Sequence, residues 1–135
     1  MSGRCILVVE DQEDNRTILR DLLTNAGLEV LEAVTGEEGV RMAEAHRPDL
    51  ILMDIQLPVV DGYDATRRIK AREELRAVPV IAVTSYALSG DEEKARAAGC
   101  DGYVTKPVTM ANLGEAIARH ARRPAFGNPP SKLET

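Results

Sequence analysis

The chain has little of what would tie it to nucleic acid, a membrane or an oxidising compartment. It contains no long basic run, and 17 Lys and Arg against 22 Asp and Glu leave a formal net charge of −5. That balance argues against nucleic acid or an anionic membrane as a partner for the surface as a whole. The first apolar run, Cys5 to Val9, is followed at once by two acids, Glu10 and Asp11. It is too short for a signal-peptide core or a membrane span, so a cytoplasmic protein is expected. Cysteine occurs only as Cys5 and Cys100. The count permits one disulfide, but both residues lie near apolar strands and read as small apolar fillers in a reduced protein. Histidine occurs only as His46 and His120. Both fall near expected helix ends, where the dipole suits a surface cation, and neither has the setting of a phosphohistidine. No repeat at a solenoid period is visible. What remains is an ordinary globular composition, 44% hydrophobic over 135 residues. One domain of that size buries about two-thirds of its unfolded surface without staples.

The stretch from Asp49 to Pro58, DLILMDIQLP, organises the rest. Leu50 to Met53 are apolar without alternation, the pattern of a strand buried on both faces of a parallel sheet. Such a strand would deliver Asp54 to its carboxyl end, the edge where ligands bind in open α/β sheets. Cys5 to Val9 reads as another buried strand. Ile18, Leu19, Leu22, Leu23 and Ala26 then recur at helical spacing, with Gly27 as a left-handed stop. A more polar strand at about Glu29 to Val34 suits a sheet edge. Thr35 and Glu38 form a capping box for a helix to about His46, closed by Pro48. Asp61-Gly62 opens a third helix with Ala65, Ile69 and Tyr63 facing inward. Val78 to Val83 is the fourth strand. Ser89 and Glu92 cap a helix ending at Gly99, and Asp101 to Thr105 is the last strand. Thr109 caps a final helix with Met110, Leu113, Ala116 and Ile117 on one face and Arg119, Arg122 and Arg123 near its end. The methionines read as core fillers. Alternating strands and helices of this kind imply an α/β fold with a parallel sheet covered on both faces. From Pro124 the composition changes to AFGNPPSKLET, read as a flexible tail or the start of a linker.

In a parallel sheet all strand ends of one sense share a rim. The first strand would bring Glu10 and Asp11 there, the third Asp54, the fourth Thr84 and Ser85, the fifth Lys106. Singly, each has a bland reading: the first two acids could cap a helix, Thr84 could be a strand residue, Lys106 a solvated cation. Together they read as a site. Clustered carboxylates repel unless a cation neutralises them. Hard oxygen ligands with open positions suit Mg²⁺, and neither the zinc nor the calcium-loop ligand pattern is present. A hydroxyl and an ammonium can hold phosphoryl oxygens. A carboxylate beside them can act as a nucleophile toward phosphorus, and Asp54, from the central strand, is the best candidate.

These residues resemble the receiver domains of two-component response regulators, the CheY-like superfamily. The likeness rests on Glu10-Asp11, on MDIQLPVVDG around Asp54, on Thr84-Ser85 and on Lys106-Pro107, and runs from about Arg4 to Arg122. The DLILMDIQLP and GDEE segments and Gly99-Cys100 look most like single-domain regulators of the DivK type. The resemblance implies a doubly wound five-stranded parallel sheet in the order 2-1-3-4-5, with a receiver at residues 4–122 and a tail at 123–135. It implies that Asp54 accepts a phosphoryl group from a histidine kinase or a histidine phosphotransfer protein. Asp11, Asp54 and the backbone carbonyl of Gln56 would bind Mg²⁺ directly, and Glu10 mainly through water. Lys106 would pair with the phosphate, Thr84 would move to bond it, and Tyr103 would turn inward behind it. The Lys106-Pro107 peptide would be cis, a form that only X–Pro bonds adopt readily. Glu10 departs from the more usual Asp and Ser85 from the usual Ala, while Gln56 and Tyr86 occupy positions that tune phosphate lifetime.

The expected function is a phosphorylation-controlled switch, catalysing only its own phosphotransfer and slow dephosphorylation. Its output is a downstream target protein, and the expected state is a monomer or weak homodimer. A phosphorelay shuttle and a receiver from a hybrid histidine kinase are the alternatives. A Mg²⁺-dependent phosphohydrolase is disfavoured, because Gln56 stands where a second acid would be needed and no substrate-covering insertion exists.

Overall fold

The computed structural model describes residues 5–55, 57, 61–84, 91–106 and 108–120, with the side chains of 91, 92 and 120 excepted. Strands and helices alternate: β1 (Cys5–Val9), α1 (Glu13–Asn25), β2 (Glu29–Ala33), α2 (Gly36–His46), β3 (Leu50–Asp54), α3 (Gly62–Lys70), β4 (Val80–Thr84), α4 (Asp91–Ala98), β5 (Gly102–Thr105) and α5 (Met110–His120). A 3₁₀ turn at Glu73–Leu75 precedes β4. All strand pairings are parallel, and the sheet order is β2-β1-β3-β4-β5.

The apolar run of β3 is explained by its place. It lies between β1 and β4, and all five of its residues are buried. Strand residues alternate between faces. Leu7, Val9, Ile51 and Met53 pack in one layer with Ala43 of α2 and Ala65 and Ile69 of α3. Ile6, Val8, Leu50 and Leu52 face the other layer, with Leu19 and Leu23 of α1 and Leu113 and Ile117 of α5. Burying each large aliphatic side chain contributes about 1.5–3 kcal/mol relative to exposure. β2 is an edge strand and buries only Ala33 of its five residues.

The expected helix ends are present. Gly27 and Gly99 have φ of +87° and +108°, the left-handed stops anticipated at both. Thr35 Oγ1 accepts from Glu38 N at 3.0 Å, while the Glu38 carboxylate reaches past the cap to Val34 N at 2.9 Å. Asp61 Oδ1 accepts from Asp64 N, and Thr109 and Asn112 bond each other reciprocally. α2 closes on Arg47, itself left-handed at φ 48°, which turns the chain before Pro48. Both cysteines are free, Cys100 buried and Cys5 half-buried.

Several expectations shift. β2 ends at Ala33, one residue early. β4 starts at Val80 rather than Val78, because Val78 N closes the 3₁₀ turn on Leu75 O and Pro79 has no N–H to donate to a ladder. β5 starts at Gly102 rather than Asp101, whose N donates to Val80 O at 2.7 Å while its carboxylate accepts from Val80 N and Lys70 Nζ, both at 2.9 Å. Ile18 and Met110 are 50% and 46% exposed, and Ala26 is an exposed helix cap. Met110 is therefore no core filler, unlike the buried Met53. Among the other expected elements, Ser89, Arg122, Arg123 and the tail at 123–135 lie outside the described residues.

Candidate metal and phosphoryl site

Four of the five strands feed one rim. Glu10 follows β1, Asp54 ends β3, Thr84 ends β4 and Lys106 follows β5. Their positions are locked by the ladder beneath them. Glu10 N donates to Ala33 O at 3.0 Å, Ile55 N to Val83 O at 3.0 Å, and Lys106 N to Thr84 O at 2.7 Å. Glu10 and Asp11 do not cap α1, whose N-cap is Gln12. They are instead turned toward Asp54.

Glu10, Asp11 and Asp54 each offer a carboxylate oxygen, and these oxygens lie within 4.8 Å of one another. Lys106 Nζ stands 3.3 Å from Glu10 Oε1 and 3.6 Å from Asp54 Oδ2. Glu10, Asp54 and Thr84 are buried, while the Lys106 side chain is 19% exposed and marks the open side. The electrostatics call for a cation. Glu10 Oε2 accepts from Gln12 N at 3.0 Å, but the buried Oε1 has no hydrogen-bond partner among the described residues and meets Lys106 only as an ion pair. Burial pushes the Glu10 carboxyl above its ordinary range. The Gln12 N–H opposes this, and the neighbouring Asp54 carboxylate adds to the push. A buried carboxylate that resists ionisation beside two others favours a bound cation that would offset its charge. The all-oxygen donor set fits a hard divalent ion such as Mg²⁺.

Tyr103 lies on β5 opposite Ala82, half-buried against the layer that holds Met53. The carbonyl of Gln56, the Lys106-Pro107 peptide, Ser85 and Tyr86 lie outside the described residues. Two positions that act on the site were not legible as such in the sequence. Gly62, read only as a helix opener, packs directly against the end of β3. A Cβ there would collide with the Asp54 carbonyl oxygen and lie 2.7 Å from Ile55 Cα. Arg16 bonds the carbonyls of both Glu10 and Asp11. Its one signal in the sequence is a cation in the opening turns of a helix, where the dipole disfavours it.

Two concavities open on the described surface, and the smaller one reaches the rim at Glu10 and Lys106. A groove of about 430 Å³ runs between α4, β5 and α5, lined in part by Arg96, Tyr103, Thr105, Asn112 and Arg119. A smaller, mainly apolar cavity of about 110 Å³ is lined by Glu10, Ile18, Leu19, Val83, Lys106 and Val108.

The family model of the response regulator receiver domain matches residues 6–118. The polar-differentiation response regulator DivK of Brucella anthropi is 46% identical over 114 residues, which is 84% of this chain and 93% of that protein. The receiver domain of the sensor histidine kinase PA1611 from Pseudomonas aeruginosa is 44% identical. It superposes with a TM-score of 0.82 over 88% of this chain and 98% of its own, and its crystal structure has a magnesium ion coordinated in the active-site cleft. The receiver domain of the Saccharomyces cerevisiae response regulator Ssk1, solved with the histidine phosphotransfer protein Ypd1, is 30% identical with a TM-score of 0.81, over 89% of this chain and 90% of that one. With the acid rim, the sheet order and the extent of these matches in hand, the chain belongs to the response regulator receiver domain family.

Proposed function

We propose that this chain is a switch thrown by phosphorylation of Asp54. The observation that carries the reading is the rim itself: a buried carboxylate at the centre of the sheet, two more carboxylates within 4.8 Å, and an ammonium 3.6 Å away. An Asp54 oxygen forms a bond to phosphorus as the phosphorus–nitrogen bond of a partner's phosphohistidine breaks. The electron pair of that bond stays on the imidazole, which takes up a proton. Asp11 and Asp54, with the Gln56 carbonyl, hold Mg²⁺, and Glu10 holds it through water. The bound ion neutralises the carboxylates and polarises the phosphoryl oxygens. Lys106 offsets charge on those oxygens, and the Thr84 hydroxyl donates to one of them. Gain of about 1.5–2 negative charges at the rim favours the Thr84 bond. Tyr103 then turns inward, and the groove between α4, β5 and α5 changes shape for a downstream target protein. A complete flip of such a switch needs about 5.5 kcal/mol of differential stabilisation. A few charge-assisted bonds at roughly 1.5–3 kcal/mol each are of that order.

The phosphodonor is a histidine kinase or a histidine phosphotransfer protein. The exposed Ile18 and the small cavity beside Lys106 offer it an apolar landing next to Asp54. None of the described helices is long and apolar enough to cross a membrane. A cytoplasmic location and a monomeric or weakly dimeric state are part of the proposal. The cis Lys106-Pro107 peptide and slow autodephosphorylation belong to the same reading, as does a receiver spanning residues 4–122. A second reading, a shuttle in a relay, is favoured by the 44% identity to the receiver of a sensor histidine kinase. It differs in one respect: Asp54 would pass its phosphoryl group on to another histidine. Incubation with acetyl phosphate and Mg²⁺ should label the unaltered chain once and leave Asp54→Asn unlabelled. Stoichiometric labelling of that variant would remove Asp54 from its role, and rapid return of phosphate to a histidine phosphotransfer domain would favour the relay.

A further inference from the structure

Arg16 lies outside the acid cluster but grips the backbone that carries it. Its Nη1 donates to the Glu10 carbonyl at 3.1 Å and the Asp11 carbonyl at 3.4 Å, and its Nε donates to Glu32 Oε1 at 3.2 Å. The side chain is 17% exposed. Glu32 sits on the neighbouring strand β2, and its second oxygen is held by Arg20 Nη1 at 3.2 Å. On its other side the same loop is fixed by Glu10 N, which donates to Ala33 O. The peptide between Glu10 and Asp11 is thus held by its flanking groups from both directions. A guanidinium is a planar fork with fixed donor directions, so bonds to two successive carbonyls and one carboxylate set the orientation of that peptide. The peptide orientation in turn sets where the Glu10 and Asp11 side chains leave the backbone.

We infer that Arg16 is a positioning residue for the divalent cation: it sets Mg²⁺ affinity by holding the Glu10–Asp11 backbone, and Glu32 holds it in place. This rests on the proposed Mg²⁺ site. It also has a sign that simple charge counting does not share. Removing a nearby positive charge should, by Coulomb attraction alone, tighten binding of a cation. Loss of positioning should weaken it, as loss of an outer-shell partner of a metal ligand does, by about 10–100-fold. Arg20 supplies the control, since it pairs with the same Glu32 but is not among the donors to the Glu10 or Asp11 carbonyls.

The test is Mg²⁺ titration of the full chain by calorimetry for the unaltered protein, Arg16→Ala, Arg16→Lys and Arg20→Ala. Arg16→Ala should bind Mg²⁺ about tenfold more weakly or worse. Arg16→Lys, which keeps the charge but loses the fork, should also be weakened, while Arg20→Ala should match the unaltered chain or bind slightly tighter. Labelling by acetyl phosphate should need correspondingly more Mg²⁺ in the Arg16 variants and recover its rate at saturating Mg²⁺, a split that a general loss of folding would not produce. Should Arg16→Ala fail to fold, Arg16→Lys carries the same comparison. Equal or tighter Mg²⁺ binding by a folded Arg16 variant overturns the inference while leaving the site reading intact. Failure of the unaltered chain to bind Mg²⁺ overturns both.

Discussion

The acid rim and the face formed by α4 sit on the same sheet but are held in different ways. At the rim, Glu10 and Asp54 are 0% and 3% exposed, and their backbones are fixed by the ladder, by Arg16 and by the close approach of Gly62. α4 is eight residues long, and the side chains it is seen to bury are Ala95 and Ala98. α5, on the opposite face of the sheet, buries Leu113 and Ile117 as well as Ala116. The proposed function would give the two regions different tasks. Phosphoryl chemistry depends on groups that are already aligned. A read-out surface must change shape for a small input of free energy, so it is drawn from the weakly anchored part of the fold.

Truncation of the two helices gives the largest expected contrast. Leu113→Ala should cost about 2–5 kcal/mol of stability, the range for an aliphatic residue deleted from a packed core. Ala95→Gly should cost about 1 kcal/mol, mainly helix propensity. Chemical denaturation measures both, and equal losses would erase the distinction between the helices. Gly62→Ala should cost about 1–3 kcal/mol through overpacking against the end of β3. It should also slow labelling of Asp54, whereas Gly27→Ala, far from the site, should leave labelling alone.

A smaller effect should appear with pH. The folded, metal-free protein holds the Glu10 proton more tightly than the unfolded chain, so its folded-state pKa lies above the unfolded value of about 4.3. Stability in a chelator should therefore fall as pH rises from the ordinary carboxylate range through that raised value. Mg²⁺, which favours the charged form, should reverse the slope, and Glu10→Gln should flatten it. Denaturation midpoints across pH, with and without Mg²⁺, check the sign. The mildest expectation concerns motion: backbone amides of α4 should exchange with solvent sooner than those of α5, and the difference should shift on treatment with beryllofluoride.

Much of this was legible in the sequence where a single physical cause dominates. A strand buried on both faces cannot alternate, so Leu50 to Met53 announced the centre of a parallel sheet and with it the rim position of Asp54. Glycine at 27 and 99 and the polar caps at Thr35, Asp61 and Thr109 are local chemistry, and the local reading held for them. What could not be read depends on distant partners. The late start of β4 follows from Val78 N closing on Leu75 O and from Pro79, and the Asp101 carboxylate at the entry to β5 is bonded across the chain to Val80 and Lys70. Helical spacing identified faces of α1 and α5 that include Ile18 and Met110 but could not tell that both would lie exposed. Gly62 and Arg16 carry ordinary local signals, and their bearing on the site arises only when α3 and α1 are brought against the ends of β3 and β1.

The central claim is that these carboxylates form one Mg²⁺-dependent acceptor centred on Asp54. Its most direct test is to treat the full chain with acetyl phosphate, trap the acyl phosphate by borohydride reduction and locate it by peptide mass spectrometry, with Mg²⁺ and with chelator. A single modified residue, Asp54, found only when Mg²⁺ is present, is the result expected. Modification centred on another residue, or equal modification of Asp54 in chelator, would contradict the account.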